Sequence, residues 1–101
     1  MGEECKVAMI SQPMAGKDNL QIQKERTELV DILTEQGYKV LPTILTEEDV
    51  EKDDPIYYLA ESLKFLAESD VIFFMEGWEE TRGCRIEHMV AKEYNKEIIE
   101  L

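Results

Sequence analysis

The stretch Val71-Ile72-Phe73-Phe74-Met75-Glu76-Gly77-Trp78-Glu79-Glu80-Thr81-Arg82-Gly83-Cys84-Arg85-Ile86-Glu87-His88 decides the fold. Its first four residues are apolar, β-branched or aromatic, and read as a strand covered on both faces. A loop containing Gly77 follows, and an amphipathic helix is predicted from about Arg82 to Asn95. A strand, a loop and a helix opening, in that order, form the usual place for an α/β domain to hold a small anionic ligand.

The same alternation extends in both directions. Upstream, Lys6-Val7-Ala8-Met9-Ile10 is a short, continuously apolar strand, followed by the loop Ser11-Gln12-Pro13-Met14-Ala15-Gly16-Lys17. Asp18 is placed to cap a helix, with Gln21 three residues on completing a capping box. That helix is expected to run to about Gln36, burying Ile22, Leu29, Val30 and Leu33 and stopping at Gly37. Tyr38-Lys39-Val40-Leu41 reads as a second strand, with Pro42 suiting the end of an edge strand. The acidic run Glu47 to Asp54 reads as a solvated loop. Asp54 then caps, and Pro55 opens, another helix, with Ile56, Leu59, Leu63 and Leu66 as its core stripe. The strand from Asp70 to Met75 and a last strand, Glu97-Ile98-Ile99-Glu100-Leu101, complete the pattern.

Four strands alternating with three helices predict one α/β domain, residues 1–101, with a parallel sheet and helices on both faces. In a doubly wound sheet of order 2-1-3-4 the chain reverses direction between the first and third strands. Ligands bind outside the carboxyl ends of those strands, at the loops that begin with Ser11 and Glu76.

Composition narrows the partners. With 23 Asp and Glu against 11 Lys and Arg, the formal charge is −12, which repels nucleic-acid polymers and anionic membranes. A small ligand carrying one phosphate can still bind through local donors. No apolar run is long enough to span a membrane. The acidic opening Met1 to Lys6 does not read as a signal peptide, and two cysteines, Cys5 and Cys84, make no disulfide framework. A cytoplasmic protein with reduced thiols is the expectation.

Within the crevice, Thr81-Arg82-Gly83-Cys84-Arg85 offers backbone N–H groups, a glycine and two guanidinium groups, the makings of a phosphate or carboxylate site. The same residues also suit a capped helix whose surface arginines answer an acidic protein. Glu87, read in the first turn, is favoured there by the helix dipole; alternatively it is a crevice carboxylate able to act as nucleophile or base. Cys84 and His88, four residues apart, could form a thiol–imidazole dyad, or with Glu87 a weak set of metal ligands; the lone histidine could equally be a packing residue. Trp78 could stack on a planar base or cover the sheet edge. Of Tyr57 and Tyr58, at most one can face the core, leaving the other to reach the crevice.

Taken together, Ile10-Ser11-Gln12-Pro13-Met14 with Gly16-Lys17, Tyr57-Tyr58-Leu59, Ala67-Glu68-Ser69-Asp70-Val71, and Gly77-Trp78-Glu79 followed by Arg82-Gly83-Cys84-Arg85-Ile86-Glu87-His88 carry a resemblance. The chain resembles the nucleoside 2-deoxyribosyltransferase-like superfamily, and in particular its phage- and bacterium-associated branch, the DUF4406 family. The resemblance implies a flavodoxin-like or Rossmann-like domain. It also implies an N-glycosidase or deoxyribosyltransferase acting on a nucleoside or its monophosphate, without metal or other cofactor. In such enzymes a helix-borne glutamate attacks the anomeric carbon and displaces the base. Glu87 matches that glutamate, Ala91 the small residue four places later, and Gly83 a loop glycine.

On the same resemblance Thr81 falls at a phosphate-binding serine, and Ser11, Gln12, Pro13 and Met14 fall in the first-strand loop around sugar and phosphate. Tyr58, Gly77, Trp78, Arg82 and Cys84 complete the implied ligand contacts, with Trp78 stacked on the base. Ser62 stands where the enzymes carry an aspartate that assists the leaving base. A serine cannot serve as that general acid, so a non-catalytic module that binds or sequesters a nucleotide-derived ligand is the alternative expectation. Arg85 replaces a second loop glycine and is expected to narrow the mouth. The resemblance also implies a homodimer. The enzymes continue past the position of Leu101 with a segment that completes the neighbour's site, so a partner's contribution here is expected from elsewhere.

Overall fold

A computed structural model describes residues 5–14, 16–43 and 54–101. Among the described residues its elements are β1 (Val7–Ser11), α1 (Asn19–Glu35), β2 (Lys39–Val40), α2 (Pro55–Glu68), β3 (Val71–Phe74), a 3-10 turn (Trp78–Glu80), α3 (Arg82–Glu93) and β4 (Glu97–Glu100). The four strands form one parallel sheet in the order β2-β1-β3-β4. That is the expected α/β architecture, with the reversal of winding between β1 and β3. Most of the acidic run, Glu47 to Asp53, lies outside the described residues.

The two central strands are apolar up to Ser11, the last residue of β1, because each face has a helix to cover it. Ala8, Ile10, Val71 and Phe73 pack with Leu33 of α1, and Leu29 and Val30 close over them. On the opposite face Met9, Ile72 and Phe74 pack with Leu66 of α2 and Ala91 of α3. Thus α1 covers one side of the sheet, and α2 and α3 cover the other. Alternation along β1 therefore turns Ser11 toward α3, while Ile10 faces α1.

Local chemistry sets the ends of the elements. Asp18 accepts from the Gln21 backbone N–H at 2.8 Å. The reciprocal half of the expected capping box is replaced, because the Gln21 side chain donates to Glu25 instead. Gly37, at φ 97°, supplies the left-handed turn into β2. Asp54 caps α2 through Ile56 N–H, with Pro55 as its first residue. At the other end of α2, Lys96 donates to the carbonyls of Ala67 and Ser69, placing a cation on the negative pole of the helix.

Two sequence expectations need correction here. Asp70 is not part of β3 but a bracket to β1: its carboxylate accepts from Val7 N–H at 2.8 Å while its own N–H donates to Val7 O. Ile56 does not belong to the core; it is 73 % exposed. It sits in the first turn of α2, at the rim of a recess it shares with Leu59 and with Arg82, Gly83 and Ile86 of α3. Leu59 and Leu63 are half-buried, and only Leu66 of that stripe is fully covered.

Candidate functional site

A cavity of about 670 Å³ opens at the carboxyl edge of the sheet. Its walls are the end of β1 and the residues that follow it, the first turns of α2 and α3, and two residues on the α1 side, Arg26 and Thr43. Topology alone brings these distant segments together, since β1 and β3 are adjacent and both end there.

Glu87 lies on the cavity wall and is only 7 % exposed. It belongs to the second turn of α3, not the first as read from the sequence, because the helix starts at Arg82. The helix dipole therefore does little for this carboxylate, since its effect fades within one turn. What holds Glu87 is a tertiary contact: the Ser11 hydroxyl donates to its Oε1 at 2.6 Å. Burial raises its pKa above the ordinary carboxylate value, while the hydroxyls of Ser11 and Ser62 act against that rise.

Cys84, one turn earlier on the same face, is buried beside the same serine. Its thiol pKa is pushed up to about 11, chiefly by burial; Ser11 opposes the rise and the charge of Glu87 adds to it. Such a thiol is protonated at neutral pH and is not an activated nucleophile. His88 points elsewhere: its ring stacks on Trp78 at 4.0 Å and 8°, and its Nε2 lies 2.9 Å from Glu100 Oε2. The thiol–imidazole dyad is thus not assembled. Among the described residues no group of three or more His, Cys, Asp or Glu side chains is arranged to hold a metal ion.

Ser11, Gln12, Met14, Tyr58, Ser62, Thr81, Arg82, Gly83, Cys84 and Glu87 all reach the cavity wall. Thr81 occupies the N-cap of α3 without using its side chain to cap. A Cβ added at Gly83 would meet nothing within 4 Å, so that residue borders open space. Three expected residues lie elsewhere. Trp78 packs on Phe74 and His88 and covers the end of the sheet, so its ring is not on the cavity wall. Gly77, at φ 94°, supports the turn after β3 and borders a separate recess with Lys17 and Glu25. Pro13 is buried, and its ring lies 3.7 Å from where a Gly77 Cβ would stand. Arg85 does not narrow the mouth; it folds back to donate to Glu79 O at 3.1 Å.

Sequence reasoning missed Arg26 and Thr43. Arg26 is buried, donates from Nη2 to Leu41 O at 2.8 Å, and has its pKa lowered by burial. The signal was present in the spacing: Arg26 lies four after Ile22 and three before Leu29, on the apolar stripe itself. Thr43 follows β2 and donates to Ile10 O at 3.0 Å, tying that segment to β1.

The protein is thus a parallel, doubly wound α/β domain with a buried carboxylate in a crevice at its switch point. The chain belongs to the DUF4406 family, described as a domain of unknown function, whose model matches residues 6–100. No curated protein matches the chain.

Proposed function

We propose that the protein is a nucleoside or nucleoside-monophosphate N-glycosidase, or a deoxyribosyltransferase of the same chemistry, with Glu87 as nucleophile. The observation that carries this reading is the placement of Glu87: a buried carboxylate on the wall of a ligand-sized cavity, held by a hydroxyl from another strand. A merely structural glutamate has no reason to be desolvated in this way, given the energetic cost of burying a carboxylate.

In this mechanism the donors at the start of α3, with Arg82 and Thr81, hold the phosphate of a monophosphate ligand. Ionised Glu87 attacks the anomeric carbon as the glycosidic C–N bond breaks, and the bonding pair leaves with the base. The resulting glycosyl ester is then attacked by water, or by a second base, and the carboxylate is released with retention. Ser11 orients the attacking oxygen and favours its ionised form. Ser62 can donate a hydrogen bond to the base but is no general acid, so the leaving nitrogen takes its proton from solvent.

The second reading is a binding module that holds the same ligand without turnover. Ser62 in the cavity wall favours it, as does the burial that works against ionisation of Glu87. The two separate in one experiment. The protein is incubated with a panel of deoxynucleosides and their 5′-monophosphates, released base is quantified chromatographically, and binding is followed by thermal shift. Base release lost in Glu87→Ala supports the enzyme. Binding without release, unchanged or tightened by that substitution, supports the module. Neither binding nor release across the panel would sink both.

A further inference from the structure

Beside the main cavity lies a second recess, of about 450 Å³, between the first turns of α2 and α3. Its lining is mostly apolar: Pro55, Ile56 and Leu59 from α2, and Ile86 from α3. Arg82 is the one cation on its wall among the described residues. The Asp54 carboxylate, also on the wall, is already engaged as the cap of α2, accepting from Ile56 N–H at 2.8 Å. Helical spacing explains why the two spaces differ. Cys84, Glu87 and Ala91 form the buried stripe of α3, whereas Arg82 and Ile86, four residues apart, belong to the next stripe round the helix.

The two spaces are joined. Pro55, Leu59, Arg82 and Gly83 line both of them. Gly83 has no side chain, and a Cβ built there would meet nothing within 4 Å, so the boundary is open at that residue. An anionic group held by Arg82 and the start of α3 therefore has Glu87 on one side and apolar surface on the other. Ile56 is 73 % exposed and Ile86 half-buried, which leaves that surface accessible to a ligand. A phosphate monoester makes no use of it, because its free end is all charged oxygen and gains nothing from apolar contact. A phosphodiester does: one oxygen carries an organic group, and the phosphate keeps a single negative charge. The lower charge also suits a chain of net charge −12, which repels a dianion more strongly than a monoanion.

We propose that the recess is a subsite for an apolar group esterified to the ligand's phosphate, so that the substrate class is a nucleoside 5′-phosphodiester with an apolar ester group. The sugar lies beside Glu87, the phosphate at Arg82 and Gly83, and the ester group against Ile56, Leu59 and Ile86. This rests on the nucleotide reading above and names the substrate class of the same site.

The test measures equilibrium binding by calorimetry in the full chain carrying Glu87→Gln, so that no ligand is consumed. Three probes are used: the tightest-binding deoxynucleoside 5′-monophosphate, its methyl phosphodiester and its n-butyl phosphodiester. The two esters carry the same charge and differ by three methylenes. A fully buried methylene favours binding about fourfold, so at about half burial the butyl ester should bind about tenfold tighter than the methyl ester. Ile56→Ser and Ile86→Ser, made in the same protein, should remove that gain and leave the methyl ester unchanged; Ile56 is exposed, so its substitution does not threaten the fold. Equal binding of the two esters overturns the subsite while leaving the nucleotide reading intact. A butyl gain that survives both substitutions also overturns it, because the ester group would then lie elsewhere. Sedimentation of the unsubstituted chain and of Ile56→Ser tests the competing occupant: a dimer dissociated by that substitution would put a second copy in the recess and overturn the subsite, whereas a monomer leaves the recess to the ligand. Absence of binding by every probe removes the nucleotide reading and the subsite with it.

Discussion

Replacing Ser11 by alanine isolates the contact on which the site depends. Ser11 is 1 % exposed at the end of β1, paired in register with Phe74, and its hydroxyl donates to Glu87 Oε1 at 2.6 Å. The substitution removes one oxygen from a packed position and leaves the strand otherwise intact. A hydrogen bond to a charged group is worth about 1.5–3 kcal/mol, so that is the expected loss when Glu87 is ionised. For a domain of this size each kcal/mol moves Tm by about 4–8 °C.

The loss should depend on pH, with a sign that follows from linkage. Burial raises the Glu87 pKa in the folded state above its unfolded value, so between those values the folded protein holds a proton the unfolded chain has released. Stability therefore falls as pH rises through that window. The Ser11 hydroxyl lowers the folded-state pKa, so its own contribution is present at higher pH and lost as pH falls and Glu87 protonates. The deficit of Ser11→Ala should thus be largest near pH 8 and shrink toward pH 4. Urea denaturation of wild type, Ser11→Ala, Glu87→Gln and the double variant across that range provides the measurement. In the Glu87→Gln background the Ser11→Ala deficit should no longer vary with pH. A deficit that is flat with pH in the wild-type background would refute the claim that Ser11 acts on a buried carboxylate.

Three further outcomes are expected. Ser62→Asp places an acid on the cavity wall and should increase base release from deoxynucleotides by tenfold or more, within the usual range of general-acid catalysis; unchanged release measured by chromatography would argue against a competent pocket. Gly83→Val introduces a side chain into open space, so stability should change by no more than about 1 kcal/mol while nucleotide binding weakens at least tenfold; undiminished affinity would move the phosphate away from the start of α3. With its pKa at about 11, Cys84 should react with iodoacetamide in a Cys5→Ser protein only slowly at pH 7 and faster with each unit toward pH 10; rapid labelling at neutral pH, followed by mass spectrometry, would contradict the buried-thiol assignment.

Much of the fold was legible because its signals are local. Val71 to Phe74 is apolar at every position, which suits only a strand with cover on both faces. Asp18, Asp54 with Pro55, and Gly37 mark helix ends through contacts within three residues of themselves. The parallel order then follows from strands separated by helices, because such crossovers have one preferred hand. Most of the candidate site was legible for the same reason: once β1 and β3 are neighbours, the residues after them must meet.

What escaped a linear reading depends on where side chains end up in space. Trp78 and His88 are ten residues apart, and no local rule says that their rings stack and so remove both from the cavity. The stripe of α2 suggests a buried Ile56, yet in the packed domain that residue of the helix's first turn is left uncovered.

By itself, then, the sequence determined the α/β class, the strand order and the end of the sheet at which the loops after β1 and β3 meet, because periodicity, caps and crossover handedness act over short stretches of chain. Tertiary structure decided which groups line the cavity there. Glu87 is made a desolvated, serine-held carboxylate by β1, and Gln12 and Arg26 are buried with one hydrogen bond each, to Ile22 O and Leu41 O. Burial and hydrogen-bond satisfaction are properties of the packed whole, and the chemistry of this pocket is made of both.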